Sequence, residues 1–240
     1  VYHFHDPELI PLGIFLKITG KKVLYDVHED YSKLIMDKGW LPRWLKKPFS
    51  VLSEVAEFLA GHLLDGIIAV TPTIAKKFPK SNTVLVQNFP ISGELFSDNQ
   101  PCFTKRNPHV IYVGGLTLTR GLKEMIEAVA LLSKLTDVRL VLGGNFIPKH
   151  LEEQVRKLPG WDKVDFKGWI SRDAYKTLLT QCIAGLVLCH PTGNYINSQP
   201  NKLFEYMSAG LPVIASKFPL WREFIEKNNC GLLVDPLNPK

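Results

Sequence analysis

Two glycines and an arginine form the first candidate site of this 240-residue chain. Gly114, Gly115 and Arg120 lie in a loop between a predicted strand and a predicted helix. Glycine lets the backbone approach a ligand closely, and a helix start offers free N–H groups with a partial positive charge. The guanidinium adds a cation that binds two phosphate oxygens at once. The loop suits a diphosphate, but a turn glycine beside a surface arginine explains it equally well, and its spacing matches neither a P-loop nor GxGxxG.

A lysine and a glutamate form the second candidate site, after a long polar loop at residues 190–200. Lys202 and Glu205 are three residues apart, so they share one face near the start of a short predicted helix. A carboxylate there can accept two hydroxyls of a ribose or a hexose, and a lysine can bind a phosphate. The alternative is a surface ion pair, which is the usual interpretation of an isolated K-x-x-E.

Both sites belong to a regular alternation of strands and helices, which favours an α/β fold with parallel sheets. The predicted strands are Tyr2–Phe4, Lys22–Val27, Gly66–Val70, Thr83–Val86, His109–Gly114, Val138–Gly143, Val164–Lys167, Ala184–Cys189, Pro212–Ala215 and Gly231–Val234. The predicted helices are Pro7–Thr19, Leu45–Leu63, Pro72–Phe78, Leu122–Leu135, Pro148–Leu158, Arg172–Gln181, Lys202–Ala209 and Pro219–Glu226.

A polar passage around residues 90–107 is the best predicted domain boundary, and it divides the chain into two Rossmann-like domains, residues 1–96 and 97–240. Open parallel sheets bind ligands outside the carboxyl ends of their strands. The two candidate sites follow predicted strands of the second domain, so we expect them to meet at one edge of its sheet.

Composition excludes several classes of protein. A hydrophobic fraction of 45% with 22% charged residues is typical of globular proteins and excludes disorder. No apolar run reaches the roughly 20 residues that cross a bilayer. The four cysteines have no CxxC spacing, which predicts buried thiols in a reducing compartment such as the cytoplasm. The net charge of +6 permits anionic partners, but the basic residues are scattered and predict no nucleic-acid binding.

Residues 201–214, NKLFEYMSAGLPVI, resemble the donor-site signature of retaining glycosyltransferases of family four, which have the GT-B fold. The family pattern has two glutamates eight residues apart, followed by G-x-P-V-I. Glu205 matches the second glutamate, which in the family holds the ribose of the donor nucleotide. Asn197 stands at the position of the first. The resemblance implies donor contacts from Asn197 and Ser198 as well.

The glycine loop is similar to the phosphate loop of the same family, V-G-R-L followed by K-G. Arg120 stands at the basic position before the second glycine. Gly115 stands where the family usually has an arginine, so one of two cations for the diphosphate is missing. Lys202 is the candidate substitute for that cation.

Further segments match the family in order along the chain. Residues 3–7, HFHDP, resemble its H-x-H-(D/E) strand end, where the second histidine faces the transferred sugar across a cleft. This implies a catalytic role for His5 beside Arg120. Trp169 and Ile170 follow a strand where the family's backbone contacts the base, which implies a role in donor binding.

The resemblance implies transfer of a hexose from a UDP- or GDP-linked sugar to a glycan or lipid-linked acceptor in polysaccharide biosynthesis, without a metal or another cofactor. It also implies a fragment lacking both ends, with residues 1–96 as part of an acceptor-side domain and residues 97–240 as a donor-binding domain without its last helices. Whether such a fragment is active by itself is left open.

The segment Trp40–Phe49 combines two tryptophans, a phenylalanine and three cations. Tryptophans with cations suit a membrane interface with acidic lipid, which would be the inner face of the membrane for a cytoplasmic enzyme. The alternative is a loop whose aromatic side chains pack on their own domain.

Two other functions remain open from the sequence. A metal-dependent hydrolase could use His3, His5 and His28 as ligands, because histidines near strand ends are common in metal sites. A non-catalytic module that only binds sugar nucleotides is the second alternative, and the departures at Gly115 and Asn197 favour it.

Overall fold

A computed structural model describes residues 1–96 and 102–240. Their contacts divide the chain into two compact units. The first unit contains residues 1–88 and 193–198, and the second contains the described residues of 89–192 and 199–240. Both units are built from parallel strands alternating with helices, which confirms the predicted α/β class.

The first unit has a four-stranded parallel sheet in the order β1-β2-β3-β4. Its core lies between this sheet and its helices, where Val23, Tyr25 and Ile67 are fully buried. Its elements within residues 1–88 are β1 (Tyr2–Phe4), α1 (Ile10–Ile18), β2 (Val23–Val27), α2 (Tyr31–Asp37), α3 (Arg43–Leu63), β3 (Gly66–Ala69), α4 (Pro72–Ala75) and β4 (Thr83–Leu85).

The remaining elements belong to the second unit except for α8, which packs on α2 of the first unit. They are β5 (His109–Val113), α5 (Leu122–Leu132), β6 (Arg139–Gly143), α6 (Leu151–Val155), β7 (Val164–Gly168), α7 (Arg172–Gln181), β8 (Ala184–Val187), α8 (Gly193–Ile196), α9 (Asn201–Ser208), β9 (Val213–Ser216), α10 (Pro219–Asn228) and β10 (Gly231–Val234). The helix α5 shows why the period predicts burial: Leu122, Met125, Ile126 and Val129 all lie in the core.

The second sheet has the strand order β10-β9-β8-β5-β6-β7, and all its pairs are parallel. From β5 the chain first builds the sheet outward through β6 and β7, and then returns to add β8 on the other side. The order therefore reverses between β5 and β8. Such a reversal opens a crevice at the carboxyl ends of the two strands, where ligands of open α/β sheets bind.

None of the helices formed by residues 1–96 and 102–240 is both long enough and apolar enough to cross a membrane. All four cysteines are free. Cys182 and Cys189 are buried, as predicted, whereas Cys102 is exposed. The prediction of a buried thiol is therefore wrong for Cys102, which precedes a short surface turn at Phe103–Lys105.

Candidate functional site

The side chain of Lys202 lies against the loop that follows β5. Gly114 has a φ of 150°, and a β-carbon added there would overlap the Lys202 amine and lie 2.5 Å from its Cε. The amine also lies 5.5 Å from the centre of the Tyr112 ring. The lysine can occupy this position only because residue 114 has no side chain. The predicted proximity of Lys202 to the glycine loop is therefore observed.

Arg120 lies against the next glycine of the same loop. Its Nη1 is 2.9 Å from the place that a β-carbon would take at Gly115. The arginine ends a short 3-10 turn, and Gly121 follows it with a φ of 71°. A β-carbon at Gly121 would overlap the carbonyl oxygen of Leu188, just beyond β8. This close approach fixes the loop at the crevice between β5 and β8.

Burial lowers the pKa of Lys202, and the nearby charge of Arg120 lowers it further. Glu205 and Cys189 oppose this shift. Two cations at the carboxyl ends of adjacent strands repel each other, and a bound anion with two or more charges would relieve that repulsion. The arrangement therefore favours a diphosphate over a neutral ligand.

Glu205 lies one turn beyond Lys202 on α9, and both of its carboxylate oxygens accept a hydrogen bond from α7. Oε1 accepts from Arg172 Nη1 at 2.7 Å, and Oε2 accepts from the Tyr175 hydroxyl at 3.2 Å. Burial raises the pKa of Tyr175, so its hydroxyl keeps its proton and remains a donor. The Glu205 side chain is 17% exposed, which leaves its carboxylate within reach of a ligand.

Trp169 and Ile170 follow β7, which lies two strands away from β5. The Trp169 side chain is exposed. Ile170 covers the end of β6, since a β-carbon at Gly143 would overlap its Cδ1. Their predicted contact with a base stays a prediction.

Asn197 and Ser198 group with the first unit, unlike Lys202 and Glu205. The Ser198 hydroxyl donates to the carbonyl oxygen of Tyr195 at 3.0 Å. Earlier in the same segment, the N–H of Asn194 donates to Asp37 Oδ2 at 3.3 Å. The segment is thus held by its own turn and by α2, and its predicted donor contacts stay predictions.

Three histidines surround the buried carboxylate of Asp26 at the end of the first sheet. His3 Nε2 and His5 Nδ1 lie 3.3 and 3.5 Å from Asp26 Oδ2, and His28 Nε2 lies 3.3 Å from Oδ1. His5 Nδ1 and His28 Nε2 share a hydrogen bond of 2.9 Å. His3, His5 and Asp26 are close enough to bind a divalent cation together, but the same groups also bind one another.

The three aromatic side chains of the Trp40–Phe49 segment are exposed to solvent to different degrees. Trp40 and Trp44 are 76% and 75% exposed, and Phe49 is also exposed. The segment includes the first two turns of α3. The alternative in which these aromatic side chains pack on their own domain is therefore wrong for both tryptophans.

Most of the second unit matches the sequence model of a known protein family. The model of the family described as "Glycosyl transferases group 1" matches residues 95–240. The chain belongs to this family. The match covers the whole arrangement of Gly114, Arg120, Lys202 and Glu205, and it confirms the resemblance found in the sequence.

A curated relative and several solved structures resemble the chain at low sequence identity. An uncharacterised glycosyltransferase from Methanocaldococcus jannaschii is 27% identical over 133 residues, which are 54% of this chain and 32% of that protein. The Anabaena protein HepE, solved in complex with UDP, has a TM-score of 0.71 at 16% identity, covering 99% of this chain and 66% of HepE. Sucrose-phosphate synthase from Thermosynechococcus elongatus has a TM-score of 0.72 at 18% identity, covering 99% and 61%.

These comparisons identify the two sheets as a GT-B fold. The chain spans less than two thirds of the length of each of these relatives. Membership of a transferase family disfavours the metal-dependent hydrolase that the histidines suggested. The matched range includes Glu205 and also the two residues that donate to its carboxylate, Arg172 and Tyr175, which the sequence analysis did not single out. Arg172 and Tyr175 were missed because the pattern that predicts a helix from residue 172 does not show which side chains of other elements that helix contacts.

Proposed function

We propose that this group 1 protein transfers a sugar from a nucleoside diphosphate donor, with the diphosphate bound by Lys202, Arg120 and the backbone at Gly114 and Gly115. The observation that supports this most strongly is the half-buried Lys202 amine beside a second cation at the crevice between β5 and β8. Backbone N–H groups, a guanidinium and an ammonium at that place are the groups that recognise phosphate oxygens.

The same cations would promote the reaction. When the bond between the sugar and the diphosphate breaks, negative charge grows on the departing diphosphate. Arg120 and Lys202 are held in place before the reaction, so they stabilise this charge without reorganising. We propose that they make a metal unnecessary, and that transfer proceeds with retention, as the family resemblance implies. EDTA treatment is then expected to leave the rate unchanged.

Glu205 would accept hydrogen bonds from the ribose hydroxyls, and His5 would contact the transferred sugar. A uridine or guanosine nucleotide with a hexose is the proposed donor class. HepE structures in complex with UDP and with UDP-glucose support uridine and glucose as the first candidates to test. Trp169, Ile170, Asn197 and Ser198 are the further residues proposed to contact this donor.

The acceptor is proposed to be a glycan or a lipid-linked sugar of polysaccharide biosynthesis at the inner face of the membrane. The exposed pair Trp40 and Trp44 supports this, since amphipathic rings with neighbouring cations suit the headgroup region. Lys38 lies 5.5 Å from the Trp40 ring and supplies one of those cations. Contact with the membrane through Trp40–Phe49 would keep the enzyme beside such an acceptor.

A thermal-shift panel of UDP, GDP and ADP with their glucose and mannose derivatives tests the donor proposal. A nucleotide present at 100 times its Kd stabilises the protein by about 2.7 kcal/mol. We expect UDP or GDP to raise the Tm and ADP to have less effect. If none of the nucleotides raises the Tm at millimolar concentration, the proposal is wrong. A protein that binds UDP-glucose but releases no UDP with any acceptor is the non-catalytic module.

A further inference from the structure

One arginine of the second unit binds two carboxylates at once. Arg172 Nε and Nη2 donate to the two oxygens of Glu94 at 2.7 and 3.1 Å, a bidentate pair. Its remaining nitrogen, Nη1, donates to Glu205 Oε1 at 2.7 Å. All three guanidinium nitrogens are thus used, and the donor-site carboxylate receives one of them.

Glu94 is itself held in place. It belongs to a short segment, residues 89–96, in which Leu95 is buried and the Phe89 ring packs edge-on against the Phe204 ring at 4.7 Å. Phe204 is the residue before Glu205 on α9. The hydrogen bonds from Arg172 lower the pKa of Glu94, which keeps its carboxylate charged. The segment that carries Glu94, the partner of Arg172, therefore packs on the same helix that carries Glu205.

We infer that Arg172 is a positioning residue that orients the Glu205 carboxylate toward the ribose hydroxyls of the donor. This inference rests on the proposed function. A carboxylate has about four lone-pair sites on its two oxygens. Arg172 takes one site on Oε1 and Tyr175 takes one on Oε2. With respect to the hydrogen bonds among residues 1–96 and 102–240, one site remains on each oxygen, which matches the two neighbouring hydroxyls of a ribose.

Pinning both oxygens also reduces the ordering that donor binding requires, because Glu205 does not have to find its rotamer after the nucleotide arrives. A lysine at position 172 could not replace the arginine. Its single ammonium lacks the planar fork that binds Glu94 through two nitrogens while the third reaches Glu205. Arg172 acts through Glu205, so its effect depends on a donor that offers ribose hydroxyls.

The test compares UDP and GDP with their 2′,3′-dideoxy forms by calorimetry on the whole chain. For Arg172→Gln we expect the affinity for the ribonucleotide to fall about tenfold and that for the dideoxy form to fall less than about twofold. Adding Glu205→Gln should remove the effect, so that the double variant binds within about twofold of Glu205→Gln alone. Glu94→Gln should give a smaller loss of the same kind, since Arg172 remains. Arg172→Lys should resemble Arg172→Gln.

Arg222→Gln is the matched control, because Arg222 lies on α10 and pairs with Glu226 only as an exposed neighbour. It should bind both nucleotides as the unchanged protein does. Equal losses for the ribonucleotide and the dideoxy form in Arg172→Gln would overturn the inference, as would a loss that persists in the Glu205→Gln background. If the unchanged protein binds neither UDP nor GDP, the proposed function fails and this inference fails with it. If Glu205→Gln selectively lowers the affinity for the ribonucleotide and Arg172→Gln does not, only this inference fails.

Discussion

The Lys202 amine occupies the space that a β-carbon would take at Gly114. The two residues are 88 positions apart, and the crevice between β5 and β8 brings them together. Arg120 is the cation that the loop itself supplies, and Lys202 from α9 adds a second cation beside it. Lys202 can hold its amine at this place only while residue 114 is a glycine, so the two residues depend on each other.

Gly114→Ala should therefore weaken nucleotide binding. The methyl group would overlap the Lys202 amine, and the φ of 150° disfavours any side chain. We expect the Kd for UDP or GDP to rise at least about tenfold, which corresponds to roughly 1.4 kcal/mol. Calorimetric titration measures it. Gly20→Ala is the control, because Gly20 has a φ of 82° but no atom within 4 Å of an added β-carbon. Equal affinity in Gly114→Ala and the unchanged protein would show that Lys202 has no part in binding.

Nucleotide affinity should fall at alkaline pH. Burial and Arg120 lower the pKa of Lys202 below its ordinary value of 10.5, whereas a bound diphosphate favours the charged amine and raises it. Above the pKa that Lys202 has in the nucleotide-free protein, its amine must take up a proton when the nucleotide binds. The affinity then falls by up to about tenfold per pH unit. Titrations from neutral pH to 10.5 measure this, and Lys202→Gln should bind weakly without the alkaline decline. A decline of equal slope in Lys202→Gln would assign it to another group.

Lys77→Met should destabilise the protein through the first unit. Lys77 Nζ lies 2.7 Å from the buried Glu57 carboxylate and 3.0 Å from Asp30. Removing it leaves a buried charge without a partner, which costs about 3 kcal/mol in the free energy of unfolding. Urea denaturation measures the loss, and adding Glu57→Gln should restore part of it. Lys76→Met, at the exposed neighbouring position, should change little. If both variants unfold at the same urea concentration, the buried pair does not stabilise the unit.

Trp40→Ser combined with Trp44→Ser should reduce binding to vesicles of phosphatidylcholine with phosphatidylglycerol. Both rings are exposed and lie among cations, so their loss removes amphipathic anchors. We expect the partition coefficient at low salt to fall about tenfold, or roughly 1.4 kcal/mol, in a sedimentation assay. Leu135→Ser, which removes an equally exposed apolar side chain of the second unit, is the control. Unchanged sedimentation of the double variant would exclude this surface as a membrane contact.

Most of the fold was predictable because central strands such as β2 and β8 are largely buried and helices such as α5 are amphipathic. All ten strands in the described part of the chain were predicted close to their observed limits, and the helix after Gly121 followed the spacing of its apolar residues. The two helices that were not predicted, α2 and α8, have seven and four residues, and only Ser32 among them is fully buried. Such short helices have too few buried positions to show a period.

The candidate site was predictable in part. Arg120 and Lys202 were found because glycines at a strand end and a cation at a helix start are local patterns. Arg172 was not, because Glu94 and Glu205 lie 78 and 33 residues away from it and only the packing of α7 against α9 and residues 89–96 joins them. Local patterns indicate candidate ligand-binding groups, whereas the contacts that hold those groups in place depend on tertiary structure.

The most direct test of the donor site is the Kd of UDP and GDP for Glu205→Gln, measured by calorimetry beside the unchanged protein. The amide keeps the size of the side chain but loses the charge and one acceptor oxygen. We predict a rise in the Kd of at least about tenfold, or roughly 1.4 kcal/mol. Glu223→Gln, an exposed residue of α10, should leave the Kd unchanged. A Glu205→Gln protein that melts normally and binds the nucleotide within about twofold of the unchanged protein would contradict the account.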